Sequence, residues 1–226
     1  MTIRWEQITL ENLMNIEQAL EMYDQAFPIE VREPHSIFIE SLKYPNLRAP
    51  NSYRFLVGYD GDQLVSFATG HYFADANFGF IVYIATNPNV RSKGLGSKTL
   101  SKLEELLNQD AISAGNIALK AIVLETEKME MVHTEEEKED CIIRSRFFER
   151  NGYTQLKEVT YLQPPLHDGE SSIPLNLFIN NHDISQQEIA EFIQAMYREK
   201  YFLVNGIDKK ILKECLEKMG FEKVTF

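Results

Sequence analysis

The sequence predicts an α/β (α+β) fold: a mostly antiparallel central sheet flanked by helices, followed by a helical C-terminal extension. Three observations predict it. Residues 53–59, 64–72 and 78–86 are strand-like segments separated by Asp60-Gly61-Asp62 and by a turn at residues 74–77, the pattern of an antiparallel meander. Amphipathic helical segments alternate with apolar strand-like ones on both sides of that meander. Two capping boxes, one from Thr134 to Glu137 and one from Ser185 to Glu188, open helices in the second half of the chain.

Each element follows in order. Residues 3–8 form a short first strand. Thr9 suits the N-cap of a helix over residues 10–25, with Leu13, Ile16, Leu20 and Tyr23 on one face. Pro28 interrupts, and Pro34 suits the first turn of a second helix that ends near residue 43, with residues 45–51 as a loop. The third meander strand, residues 78–86, is apolar almost throughout, which predicts burial on both faces. A helix over residues 97–109 aligns Leu100, Leu103, Leu106 and Leu107, and residues 117–125 form another apolar strand. The helix opened at Thr134 runs to Asn151, where Gly152 stops it. Residues 153–162 and 173–179 make a last strand pair. In the extension, Ile189, Phe192, Ile193, Met196 and Tyr197 face inward. Asn205-Gly206 then turns the chain into a second helix whose inward residues are Ile211, Leu212, Cys215 and Leu216. A two-helix piece cannot fold alone. The expected organisation is a domain over residues 1–183 and an extension over 184–226 packed on it or on a partner chain.

Composition bounds the function. The 226 residues suit one large domain with an appendage. Twenty-three Lys and Arg against 34 Asp and Glu give a net charge of −11, which argues against a nucleic-acid binder or a protein held on an anionic membrane. Cys141 and Cys215 are the two cysteines, and no Cys/His spacing suits a metal. The N-terminus lacks a basic segment followed by an apolar run, and the longest apolar run, residues 78–85, is far short of a membrane span. The expectation is a cytoplasmic protein with no membrane, nucleic-acid or metal partner.

The chemistry concentrates between residues 83 and 102. A strand leads through a turn containing Gly94 and Gly96 into an amphipathic helix. Arg91, Lys93, Lys98 and Lys102 supply four positive charges, and no acid lies between Pro88 and Lys102. Backbone N–H groups at a helix start, with the positive end of the helix dipole, form a cradle for pyrophosphate. The alternative is a plain helix entry that needs flexible backbone. The pattern is neither a P-loop, since Lys98-Thr99 do not follow a glycine, nor a dinucleotide fingerprint, since Thr99 occupies the third glycine position.

Arg91-x-x-Gly94-x-Gly96 after an apolar strand resembles the coenzyme A signature of the GNAT superfamily of N-acetyltransferases. Residues 147–153, ending Gly152-Tyr153, resemble that superfamily's second motif, and residues 27–32 resemble the loop between its first two helices. The resemblance spans roughly residues 1–180 and implies a GNAT-like mixed sheet with acetyl-CoA as co-substrate. Backbone groups of Arg91, Ser92, Lys93, Gly94, Leu95, Gly96 and Ser97 would hold the pyrophosphate. Those of Ile84 and Thr86 would pair with the pantetheine arm, which enters a splay between the strands at 78–86 and 117–125. Lys93, Lys98 or Lys102 would reach the ribose phosphate, or else are ordinary solvated lysines.

Phe148 stands where the superfamily often carries a tyrosine that protonates the departing thiolate; it is assigned to coenzyme contact without proton donation. Tyr153 and Tyr161 are the substitute hydroxyls. A lysine-like amine, pKa about 10.4, is neutral roughly once in 2,500 molecules at pH 7, so a base must take its proton. Glu125 and Glu127 are the candidates, resembling the Glu-x-Glu of some superfamily members followed by a basic residue in the next helix, here Arg144. Their other reading is a solvated acidic stretch. Glu30, Glu33, His71 and His133 are weaker candidates, and Cys141 lacks a histidine to activate it as a nucleophile. Residues 125–140 hold eight acids against Lys128 and Lys138, which would favour a cationic acceptor. The sequence therefore predicts an N-acetyltransferase acting by direct attack of a primary amine, on a small molecule or a peptide. The alternative is a coenzyme A-binding regulatory or interaction module whose extension covers the acceptor cleft or forms a homodimer.

Overall fold

The computed structural model describes residues 2–90, 94–167, 169–181 and 183–221. The chain divides into two units, Met1–Leu119 and Lys120–Phe226.

In the first unit β1 (Arg4–Gln7) pairs with β2 (Ser52–Asp60), β2 with β3 (Gln63–Phe73) and β3 with β4 (Phe78–Thr86), each antiparallel. The meander expected from residues 53–86 is therefore present, and its first hairpin turns through Gly61 at φ 60°, the left-handed backbone a two-residue loop needs. Helices α1 (Ile16–Ala26) and α2 (His35–Arg48) follow β1 in the chain. Their Ala19, Tyr23, Phe38 and Leu42 share one core with Phe55, Phe67 and Tyr83 of the strands. The Tyr23 hydroxyl accepts the Glu33 N–H at 2.5 Å, and the Tyr83 hydroxyl donates to the Val31 carbonyl at 2.9 Å. The first bond ties the loop between α1 and α2 to α1, and the second ties it to the sheet.

Helix α3 (Leu95–Ser113) buries Leu100, Leu103 and Leu107. Burial of each stabilises the unit by about 1.5–3 kcal/mol. Gly70 permits the close approach to β3: a Cβ there would lie 3.0 Å from the Phe80 carbonyl oxygen and 3.4 Å from Leu107. Near the other end of α3, the buried Asp110 accepts from Arg54 Nε at 2.9 Å and from the Ser52 hydroxyl.

Two helices depart from the sequence expectation. α1 starts at Ile16, not near residue 10, because Thr9 is engaged in a backbone bridge with Asn12 and caps nothing. α2 runs on through Pro45 to Arg48, past its expected end. Pro45 removes one helical hydrogen bond. The end of the helix is instead anchored by the buried Tyr44, whose hydroxyl accepts from Asn51 Nδ2 at 2.6 Å.

In the second unit β8 (Ile173–Ile179) is the central strand. β5 (Ala121–Glu127) lies along one edge, and β6 (Thr154–Gln155) and β7 (Tyr161–Gln163) along the other, all antiparallel to it. The fifth strand begins at Ala121, four residues later than expected, and Ile117 is fully exposed. α4 (Glu135–Arg150) opens with the expected capping box at Thr134 and stops before Gly152, at φ 87°. The single strand expected over residues 153–162 is two short strands.

The extension consists of α5 (Gln186–Met196), a π-helical segment Tyr197–Val204 and α6 (Lys209–Lys218). The Ser185–Glu188 capping box forms, and Lys120 pairs with Glu188 at 2.9 Å. Ile189, Phe192, Ile193, Met196 and Tyr197 are buried as expected, whereas Ile211 is exposed. The Tyr197 hydroxyl donates to the Leu162 carbonyl, and the Leu162 N–H reaches Met219 sulfur at 3.2 Å. The extension thus bonds to β7 of its own unit through Tyr197 and Met219. The fold class is the expected one: mostly antiparallel sheet, flanking helices and C-terminal helices.

Candidate functional site

In the first unit the informative feature is the start of α3. Gly94, at φ 68°, is its N-cap, no side chain among the described residues caps the helix, and no acid stands in the first turn. The Lys98 N–H bonds to the Gly94 carbonyl, so the N–H groups of Leu95, Gly96 and Ser97 precede the first helical hydrogen bond. A Cβ at Gly94 would meet no atom of the other described residues within 4 Å. An oxyanion can therefore approach a set of oriented, uncapped donors at the positive end of the helix dipole, which is the fit that a coenzyme pyrophosphate requires. Arg91, Ser92 and Lys93 lie outside the described residues. Lys98 is exposed, while Lys102 is paired with Glu105 at 2.8 Å.

Ile84 and Thr86 are half-buried at the end of β4, opposite Ala68 and Ser66. Just before them the register slips. Thr69 faces Tyr83 and Gly70 faces Ile81, leaving Val82 as an extra residue. Such a bulge bends and twists its strand, and bulges gather next to functional sites.

In the second unit Glu125 and Glu127 share one face of β5, by strand alternation. They have different partners. Glu125 Oε1 accepts from the Tyr201 hydroxyl at 2.8 Å and from the Tyr161 hydroxyl, and Glu125 Oε2 accepts from Gln163 Nε2 at 3.1 Å. The two phenol oxygens are 3.3 Å apart. Burial, and secondly the Glu125 charge, pushes both phenols well above their ordinary pKa, so they remain O–H donors at neutral pH. Glu127 is held by Arg144 of α4 at 2.5 Å.

The remaining candidates are in packing positions. Phe148 is buried, with Phe147, Tyr153 and Phe178 around its ring at 5.1, 5.8 and 6.1 Å. Tyr153 is buried and meets Phe148 edge-on. Cys141 is buried, and burial raises its thiol pKa. Glu33 is buried beside Tyr23, and the Glu30 side chain lies outside the description. His71 packs among Tyr44, Tyr53 and Phe73, and His133 is exposed at the α4 capping box. In the acidic run, Glu135 pairs with Lys138, and Glu137 is spent on the cap, where the Thr134 N–H is the main cause of its lowered pKa. Glu130, Glu136, Glu139 and Asp140 stay exposed. Tyr201 was not foreseen, because its contact with Glu125 spans 76 residues. Among the described residues no group of three or more His, Cys, Asp or Glu is placed to hold a metal ion, and no helix is long and apolar enough to cross a membrane.

Residues 16–126 match the model of the Acetyltransferase (GNAT) family, a segment that contains β2 to β4, the Gly94 turn and Glu125. Solved structures agree over a longer span. A protein from Bacteroides thetaiotaomicron assigned to the GNAT acetyltransferases superimposes with a TM-score of 0.66 at 22% identity, covering 91% of this chain and 99% of its own. The chain has the GNAT acetyltransferase fold. An acetyltransferase of the GNAT family from Staphylococcus aureus gives a TM-score of 0.52 at 13% identity, over 80% of this chain and 99% of its own. An aminoglycoside 6'-N-acetyltransferase complexed with coenzyme A gives 0.51 at 15% identity, over 79% and 96%. The Bacteroides coverage exceeds what residues 1–183 can supply, so in that relative the GNAT fold is matched into the extension as well. None of the curated proteins compared with the chain matches it.

Proposed function

We propose that the protein is an acetyl-CoA-dependent N-acetyltransferase that acetylates a primary amine by direct attack. The observation that carries this reading is the uncapped, acid-free start of α3 at the left-handed Gly94, within the segment that matches the GNAT family. The N–H groups of Leu95, Gly96 and Ser97 hold the pyrophosphate, with Arg91, Ser92 and Lys93 completing the signature. Backbone groups at Ile84 and Thr86 align the pantetheine arm. Acetyl-CoA supplies the activated acyl group as a thioester. Glu125 takes the proton from the acceptor. Glu127 is paired with Arg144, which offsets its charge, and it borders the acidic residues that follow. The exposed acids of residues 130–140 favour a cationic acceptor, a small molecule or a peptide amine. The amine substrate named for the coenzyme A-bound structural relative, an aminoglycoside, is of that chemical kind.

The buried ring of Phe148 favours a second reading, a coenzyme A-binding module with little turnover. General-acid help is worth roughly 10²–10⁴-fold, and a thiol of pKa about 8.5 already leaves as thiolate without it. The missing hydroxyl therefore slows the reaction rather than abolishing it. Acetyl-CoA turnover on a panel of amines, with thermal shift alongside, separates the two. Transfer to a cationic amine supports the enzyme; stabilisation by coenzyme A without transfer to any amine supports the module. No stabilisation sinks both.

A further inference from the structure

Residues after 126 lie outside the family match, yet three of them converge on Glu125. Tyr161 and Gln163 come from β7, and Tyr201 from the π-helical segment of the extension. All three are buried, at 0%, 7% and 2% exposure, whereas Glu125 itself keeps partial contact with solvent. Glu125 Oε1 accepts from both phenols and Oε2 from the amide. Three donors arriving from two elements lock the carboxylate's rotamer.

We propose that the C-terminal extension completes the proton-accepting site: Tyr201, with Tyr161 and Gln163, positions Glu125 to receive the acceptor's proton. This rests on the acetyltransferase reading above. The balance is as follows. An ammonium acceptor gives one proton to Glu125, and its freed electron pair forms an N–C bond to the thioester carbon. The C–S bond breaks with its electron pair on sulfur, and the second nitrogen proton ends on the thiolate. Tyr161 and Tyr201 remain protonated throughout. They are positioning residues, and the substitute acid sought at Tyr161 is instead a donor to the base. The π-helical turn fits this role. Wide turns of that kind gather at functional sites, and here one carries Tyr201 to the carboxylate.

The test compares Tyr201→Phe and Tyr161→Phe with Tyr197→Phe, which removes a buried hydroxyl of the same segment bonded to the Leu162 carbonyl. Each Glu125-directed variant is expected to lower kcat about tenfold or more, the usual effect of losing a hydrogen bond to a charged group. KM for acetyl-CoA stays unchanged and the acid limb of the pH–rate profile moves to higher pH, while Tyr197→Phe moves neither. A second readout needs no substrate. In protein labelled with ¹³C at the glutamate carboxyls, the resonance missing from Glu125→Gln identifies Glu125. Its titration midpoint should rise in Tyr201→Phe and in Tyr161→Phe. If the midpoint rises but the parent transfers acetyl to no amine, the site stands and the acetyltransferase reading fails. A midpoint unmoved in both variants overturns the inference, as does an equal loss of kcat in Tyr197→Phe. If one variant does not fold, the other carries the same test.

Discussion

Substituting Gly94 isolates the backbone geometry of the proposed coenzyme cradle. Its φ of 68° lies in the left-handed region, where a residue with a Cβ costs about 1–2 kcal/mol and asparagine less. A Cβ at this position has no neighbour within 4 Å among the described residues, so Gly94→Ala introduces strain without collision there. That strain must appear somewhere. If the free protein keeps the turn, the melt records the loss. If the turn relaxes, coenzyme binding must restore it, and affinity falls by roughly 5–30-fold, the equivalent of the same energy. Chemical denaturation and calorimetric titration with coenzyme A, read together, should sum to about 1–2 kcal/mol for alanine. Gly94→Asn should lose less. Gly94→Trp adds an indole in the space through which the pyrophosphate approaches, and binding should fall beyond the alanine range. A folded Gly94→Trp protein that binds coenzyme A as the parent does would refute the cradle.

Other consequences can be measured separately. Glu125→Gln should lower kcat by about 10²-fold or more with coenzyme affinity retained, the scale of lost general-base catalysis; an unchanged rate removes Glu125 as the base. Asp110→Ala leaves Arg54 facing a buried gap, and denaturant titration should show a loss of about 3 kcal/mol, the low end for a broken buried pair because Arg54 is partly exposed. A chain ending at residue 183 uncovers β7 and loses the buried Phe192, Met196, Tyr197 and Tyr201, so it should be insoluble or lack a cooperative melt. The Ser185 hydroxyl first, then Lys120, lower the Glu188 pKa from 4.5 to about 2. A depressed carboxylate contributes stability above its unfolded pKa and loses it as pH falls through the folded value. The melting difference between parent and Glu188→Gln should therefore be full above pH 5 and shrink toward pH 2. A difference constant across that window would contradict the assignment.

Local chemistry was legible in the sequence. Both capping boxes form where their Thr/Ser and Glu spacing placed them, because the signal and the structure lie within four residues of each other. The meander was legible for the same reason; of the two glycines read as a turn, Gly94 is the α3 N-cap and Gly96 already lies inside the helix. The resemblance named Arg144 only as the basic residue of the next helix; its ion pair with Glu127 comes from the fold. What escaped depends on distant partners or competing local bonds. Thr9 has the chemistry of a cap but is drawn into a bridge with Asn12, and Pro45 is carried inside a helix anchored by Tyr44 and Asn51. Ile211 fits an inward helical stripe yet is exposed, while the neighbouring Leu212, Cys215 and Leu216 are buried. Tyr201 carries no local signal, since its partner Glu125 lies 76 residues away in the chain.

The central claim is that the coenzyme's pyrophosphate is held by the backbone at the start of α3. Amide hydrogen exchange resolved by NMR, with and without acetyl-CoA, tests it at the atoms concerned. The account predicts strong protection of the Leu95, Gly96 and Ser97 N–H groups on addition of acetyl-CoA, lost in Gly94→Trp. Acetyl-CoA binding with no change in exchange at those three amides would contradict it.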